Sequence, residues 1–299
     1  MPKPRPLPPH LRARPFTTSE AIQAGASPRR LRARDLDSSV WGVRAPSLQV
    51  TLVQRCALLQ LRLPAGAYFS HSTAALLHGL PVPISLESDR TLHVTVPTRL
   101  RAPHARGLSG HVSSAQDAPM LLHGLPVSPV ERSWCDLASQ VSWLDLIAAG
   151  DFAIYLGGPL TTVESLAHAI TTATNPRGRR NQLRAFPLLD GRSESPQESR
   201  LRAILVTHGL NPSRIQHVVT DRFGEFVART DVYLDDLNVI LEYQGDYHRT
   251  KVGQWRADMT RRSKIEATGP RVMELNADDL RNPRELIARI LALAALARR

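Results

Sequence analysis

Cysteine is nearly absent: Cys56 and Cys135 are the two in 299 residues. That excludes a disulfide framework and gives no metal-binding pattern, so both read as buried thiols of a reducing cytoplasm. No run approaches the roughly 18–20 uncharged apolar residues of a membrane helix. The first ten residues, MPKPRPLPPH, lack the apolar segment of a secretory signal. Global disorder is excluded as well, because 42% of the residues are apolar and 22% charged. Lysine is the other scarcity, with Lys3, Lys251 and Lys264 against an Arg-dominated total of 38 basic residues.

What the chain has is positive charge, unevenly spread. The net charge is +11. Residues 1–48 hold nine basic and three acidic side chains, residues 49–190 eleven and nine, and residues 191–299 eighteen and fifteen. A basic head on a nearly balanced body is the electrostatic footprint of a DNA-binding module. The local signals agree. Phe16–Gly25 reads as a short helix capped by Thr18 or Ser19, and Pro28–Leu36 as a second helix carrying Arg29, Arg30, Arg32 and Arg34. A strand-like piece follows at residues 39–44. That order is the order of a winged helix-turn-helix, with the four arginines as DNA contacts.

The middle region, 49–190, reads as a mixed α/β domain. Helices are expected at 50–63, 67–80, 128–139, 142–155, 161–173 and near 180–189, with strands at 92–97 and 107–113. His71, His78 and His123 lie in apolar settings and read as structural. HGLPVP at 78–83 and HGLPVS at 123–128 echo each other but are too short to mark a repeat architecture.

Residues 191–299 read as α-β-β-β-α-β-α: a helix at 195–209, strands at 214–219, 225–234 and 238–244, a helix at about 254–268, a strand at 271–275 and a helix at 283–297. Asp235-Asp236 marks a hairpin turn. If the turn centres between Asp236 and Leu237, Asp231 faces Glu242 across the hairpin, and Glu242 shares its face with Gln244. Two carboxylates in otherwise apolar strands repel one another, and a divalent cation is the usual remedy. Ser195-x-x-Glu198 is a capping box at a helix start. The same helix puts Glu198, Leu201 and Leu205 on one face, which should carry Glu198 toward the acidic pair.

These residues reach a known pattern. An acid at Asp231, Glu242-x-Gln244 on the next strand and a preceding helix with Glu198 resemble the PD-(D/E)xK nuclease fold. ESPQESRLR (194–202), Gln216, RTD (229–231), EYQGDYH (242–248), Asp258, Arg262 and NADDL (276–280) resemble, more narrowly, the DUF559 family, related to Vsr-like endonucleases. The resemblance spans about residues 192–282. It implies Glu198, Asp231 and Glu242 as an acidic Mg²⁺ (or Mn²⁺) site with His248 beside it. Gln244 stands where the superfamily usually has lysine. Residues 1–48, with GVRAP at 42–46, resemble the winged helix of AbiEi-type antitoxins, and the middle region resembles what joins such a head to a DUF559 tail.

The expectation is therefore an α+β chain of three parts: 1–48 winged helix, 49–190 middle domain, and 191–299 restriction-endonuclease-like domain. Its expected activity is metal-dependent hydrolysis of DNA phosphodiesters. Asp231 and Glu242 would hold the ion and Glu198 would complete its shell. Gln244 would orient water, His248 would serve as general acid or base, and Arg229 and Arg249 would hold flanking phosphates. The alternative is a non-enzymatic, antitoxin-like regulator whose nuclease fold is silent. The expected partner is DNA, with no membrane. A homodimer suits double-strand cutting, which needs two sites. The expected location is cytoplasmic.

Overall fold

A computed structural model describes residues 4–38, 40–46, 51–114, 118–173, 176–212, 214–244 and 252–297, with the side chains of 252–258 and 297 outside the description. His248, Arg249 and Lys251 lie outside the described residues. The fold is mixed α+β and divides into two compact units, residues 1–141 with 163–182 and residues 142–162 with 183–299.

The first unit begins with β1 (Phe16–Thr17), α1 (Thr18–Gln23) and β2 (Val43–Arg44). Strands β1 and β2 pair antiparallel. Thr17, one residue earlier than expected, caps α1 by accepting the Glu20 N–H at 3.1 Å. The Arg-rich segment forms only a 3-10 turn, Arg30–Arg32, not the expected helix over 28–36. Its side chains explain why. Leu31 and Leu36 are both drawn into a small core with Leu11 and Phe16. Arg30 folds back on Asp35, its Nη1 and Nη2 donating at 2.9 and 2.7 Å.

The rest of the first unit comprises α2 (Leu52–Gln60), β3 (Tyr68–Phe69), α3 (His71–Leu77), α4 (Ile84–Glu87), β4 (Leu92–Pro97), β5 (His104–Ala105), β6 (Leu108–Ser113), β7 (Met120–Leu122), β8 (Leu125–Val127) and α5 (Val130–Leu137). After an excursion through α6 (Trp143–Ala153), which belongs to the second unit, come α7 (Val163–Thr172) and α8 (Arg179–Ala185), of which residues 183–185 fall in the second unit. The six strands form a mixed sheet in the order β5-β6-β4-β3-β8-β7. Its core includes Phe69, Val94, Val96, Val127, Cys56 and Leu59, and both cysteines are free and buried. One expectation fails here, and one element is new. The single helix over 67–80 is a strand followed by a helix, because Tyr68 and Phe69 pair with Thr95 and Val94. The β7–β8 hairpin, turning at His123-Gly124, was not foreseen.

The second unit adds α9 (Pro196–Thr207), β9 (Arg214–Thr220), β10 (Phe226–Leu234), β11 (Val239–Tyr243), α10 (Val252–Glu266), β12 (Arg271–Leu275), α11 (Ala277–Arg281) and α12 (Pro283–Ala297) to α6. The α-β-β-β-α-β-α order is present, with α11 as an extra turn in NADDL. The sheet order is β12-β11-β10-β9, with β11 and β12 parallel and the other pairs antiparallel. One face packs Val232, Leu234, Val239 and Leu241 against Leu201 and Leu205 of α9 and Ile290 of α12. The other packs Ile240 and Val272 against Ile265 of α10.

Ser195 accepts the Glu198 N–H at 3.2 Å and caps α9. We predict that Ser195→Ala costs about 1 kcal/mol and lowers the Tm of the second unit by about 2–4 °C, read by calorimetry.

Candidate functional site

The hairpin sets the site. Val232 pairs with Leu241, Tyr233 with Ile240 and Leu234 with Val239. The turn residues Asp235–Leu237 form a 3-10 turn, and Asn238 leaves it in the left-handed conformation at φ 53°. Asn tolerates that conformation better than most residues do. This register carries on to Asp231 opposite Glu242, as the spacing predicts. Alternation along the strands then puts both acids on the α10 face of the sheet. In the other direction, β10 pairs Val232 with Ile215 and Thr230 with His217, so Gln216 is the cross-strand neighbour of Asp231. On the far side Glu242 lies in register with Glu274 of β12. A row of Gln216, Asp231, Glu242 and Glu274 thus crosses all four strands at one level.

Glu198 joins this row through Gln216. Leu201 and Leu205 do pack on the sheet, but on the face opposite Asp231 and Glu242. Glu198, in the first turn of α9, instead reaches edge strand β9, where its Oε2 accepts from Gln216 Nε2 at 2.6 Å and from the Glu194 N–H at 3.1 Å. Gln216 itself has a left-handed backbone, φ 54°, strained for a residue with a side chain. The predicted capping box is therefore shifted: Ser195 caps the helix, but Glu198 ties down Glu194 rather than the cap residue.

The electrostatics follow from burial. Asp231 is half-buried, and its carboxyl is pushed up to about 6, first by burial and further by Glu198. The Tyr243 N–H, donating to Asp231 Oδ2 at 2.8 Å, opposes that rise. Glu242 is 5% exposed. Burial raises its carboxyl and Asp231 adds to the rise, while Arg261 works against it. Arg261 of α10 is the partner that sequence reasoning missed. Its Nη1 donates to Glu242 Oε2 at 2.9 Å, and its Nη2 lies 2.7 Å from Oε1. The same Nη2 donates to the Arg229 carbonyl at 2.6 Å. The charge on Glu242 is thus met by a guanidinium. Among the described residues, Glu198, Asp231 and Glu242 do not form a three-way cluster at metal-ligand spacing.

The remaining predicted residues divide. Gln244 is half-buried at the end of β11, its N–H donating to the Leu275 carbonyl at 2.7 Å. Arg229 is exposed and ion-paired with exposed Glu194. Arg29, Arg32 and Arg34 are exposed. Arg30 corrects the sequence reading: it is 8% exposed and bound to Asp35, so it is not presented to a phosphate. Arg262 pairs with Glu266 along its helix. No signal in the sequence marked Arg261, since its contact joins residues 19 apart through the packing of α10 on the sheet.

No family model matches the chain. Two curated relatives, the uncharacterized proteins MT2308 and Rv2248 of Mycobacterium tuberculosis (strains CDC 1551 / Oshkosh and H37Rv), are each 32% identical over 118 residues. That stretch is 38% of this chain, and the chain spans 43% of the length of these relatives. Among solved structures, the RV2827C protein from Mycobacterium tuberculosis aligns with a TM-score of 0.38 at 18% identity, over 70% of this chain and 80% of that one.

Proposed function

We propose that the chain is a DNA-binding protein whose second unit carries a metal-dependent endonuclease site of the PD-(D/E)xK type. The observation that carries this reading is the row of Gln216, Asp231 and Glu242 on three adjacent strands, with Glu198 attached at its edge. The donors are all oxygens, the type a hard divalent cation takes. Asp231 keeps one oxygen free of the Tyr243 N–H bond, and its carboxyl is raised first by burial and further by Glu198. These features fit Mg²⁺ (or Mn²⁺) held by Asp231 and Glu198, with Glu242 joining once Arg261 releases it. Such an ion, when bound, polarises the scissile phosphate and supplies an acidified water. Gln216 holds the Glu198 carboxylate in place. Gln244, at the strand end, would orient water through its amide, and His248 would exchange the proton. Arg229, released from Glu194, would hold a flanking phosphate; exposed ion pairs are weak enough to exchange. Arg249 would do the same. At the front, exposed Arg29, Arg32 and Arg34 beside the β1–β2 pair would contact the duplex backbone as in a winged helix.

The test is cleavage of supercoiled plasmid with Mg²⁺ or Mn²⁺. Wild type should nick or linearise it, and Asp231→Ala, Glu242→Ala and the chelated wild type should each fall to background. Equal cleavage by wild type and both variants would sink the assignment. The Arg261–Glu242 pair favours a second reading, a regulator of antitoxin type with a silent nuclease fold. That reading expects no cleavage by wild type and metal-independent duplex binding that weakens in Arg32→Ala/Arg34→Ala.

A further inference from the structure

The first unit contains a histidine cluster that the nuclease reading does not use. His71 opens α3, His93 lies on β4 and His111 on β6. One ring nitrogen from each falls within 4.8 Å of the other two. His93 Nδ1 and His111 Nε2 are 2.9 Å apart and share a hydrogen bond, whose proton a bound ion would displace. Around them is an oriented shell. Ser70 Oγ lies 3.0 Å from His71 Nδ1 and Asp136 Oδ2 lies 3.7 Å from it, which leaves Nε2 as the outward nitrogen. A carboxylate behind a histidine is the usual support of a metal-bound imidazole. Asp136 is itself held by Arg132 Nε at 3.0 Å. Gln140 Nε2 sits 3.2 Å from His93 Nε2, and its Oε1 accepts the Ser72 N–H at 2.8 Å.

Three further observations converge. His71 has a left-handed backbone at φ 54° while 5% exposed, a strained conformation held by its surroundings. Burial holds the imidazoles of His71 and His111 below the ordinary range. His71 and His111 also line an open cleft of about 510 Å³ with Thr95, Ser113 and Arg177, a route in and room for a fourth ligand.

We propose that His71, His93 and His111 bind a zinc-class divalent transition ion, with water or a small anion from the cleft in the fourth position. Imidazole is a borderline-soft donor suited to Zn²⁺, Co²⁺ or Ni²⁺ and not to Mg²⁺. This separates the site chemically from the carboxylate row of the second unit. The three rings are stacked, with the His71 and His111 centroids 3.7 Å apart. Coordination draws them out of the stack, so binding has a conformational signature at the rings themselves.

The probe is Co²⁺, and then Zn²⁺ in competition, titrated into the untagged full chain after chelator treatment. The background is Asp231→Asn/Glu242→Gln, so that the carboxylate row does not contribute. About one ion per chain should bind with the visible absorption of a tetrahedral site, and the ring-nitrogen resonances of the three histidines should move together. His111→Ala changes a half-buried residue, and far-UV circular dichroism verifies that it folds; it should abolish the absorption. Asp136→Asn keeps all three ligands and should weaken binding about 10- to 100-fold. His78→Ala, outside the cluster, should bind as wild type does. No stoichiometric binding by wild type, or unchanged affinity in folded His111→Ala, overturns the proposal. Neither outcome depends on whether the chain cleaves DNA.

Discussion

Replacing Asp151 by alanine should cost the second unit about 3–5 kcal/mol. Asp151 of α6 is 1% exposed and Arg202 of α9 is 5% exposed. Arg202 Nη2 donates to Asp151 Oδ2 at 2.8 Å and to the Leu188 carbonyl at 2.6 Å, while Asp151 Oδ1 accepts the Asp190 N–H at 2.7 Å. Burial outweighs these partners and pushes the Asp151 carboxyl up to about 6. The pair is therefore expensive to bury, and its value shows when one member goes. Alanine leaves a guanidinium in the interior without its hydrogen-bonded carboxylate and strands the Asp190 amide. The urea midpoint of the transition that includes α6 and α9 should fall sharply, and hydrogen exchange should accelerate in those two helices first. The double change Asp151→Leu/Arg202→Met removes both charges and should recover most of the loss. If it is as unstable as Asp151→Ala, the ion pair is not the cause.

Asp231→Asn should have the opposite sign. Asparagine keeps an oxygen for the Tyr243 N–H and removes the charge that Glu198 and burial oppose. The folded carboxyl sits near 6 against an ordinary value of 3.8, so the fold disfavours ionised Asp231. That penalty is absent below about pH 3.8, grows as pH rises through the interval, and is complete above about 6. The variant should match wild type near pH 3 and be more stable by about 1–3 kcal/mol at pH 8. On the proposed nuclease reading, saturating Mg²⁺ should narrow the gap at pH 8 by stabilising wild type alone. Denaturation at the two pH values measures all of this. A variant less stable than wild type at pH 8 would show that Asp231 holds the sheet together instead of straining it. On the proposed nuclease reading, gain of stability with loss of cleavage is the trade expected where function opposes folding.

Much of the second unit was legible because its signals are local. Asp235-Asp236 between two alternating runs fixes the hairpin and, through it, the pairing of Asp231 with Glu242. Ser195-Pro196 starts α9, and the apolar run of β12 is bounded by Gly269-Pro270 and Asn276. The first unit resisted where contacts decide the conformation. The arginines of 29–34 suggest a helix by composition, yet Leu31, Leu36 and the Arg30–Asp35 pair bend the chain after one turn. The segment HGLPV ends a helix at 78–82 and makes a turn and strand at 123–127, so identical residues took their form from what they pack against. His71, His93 and His111 are spaced by 22 and 18 residues, which matches no ligand motif; only the sheet brings them together. His71, read from the sequence as structural, is part of that cluster.

The path of the chain between the two units has a consequence for synthesis. It crosses three times, after Val141, after Thr162 and after Gln182. Helix α6 leaves the ribosome well before α9, the partner that answers its Asp151. Until residues 196–207 emerge, a nascent helix carrying Leu146, Ile147 and Ala149, all destined for burial, has no surface of its own unit to cover it. Folding strictly in the order of translation cannot complete either unit as a single stretch. Pauses in translation between codons 153 and 196 should therefore raise the yield lost to chaperone capture or aggregation.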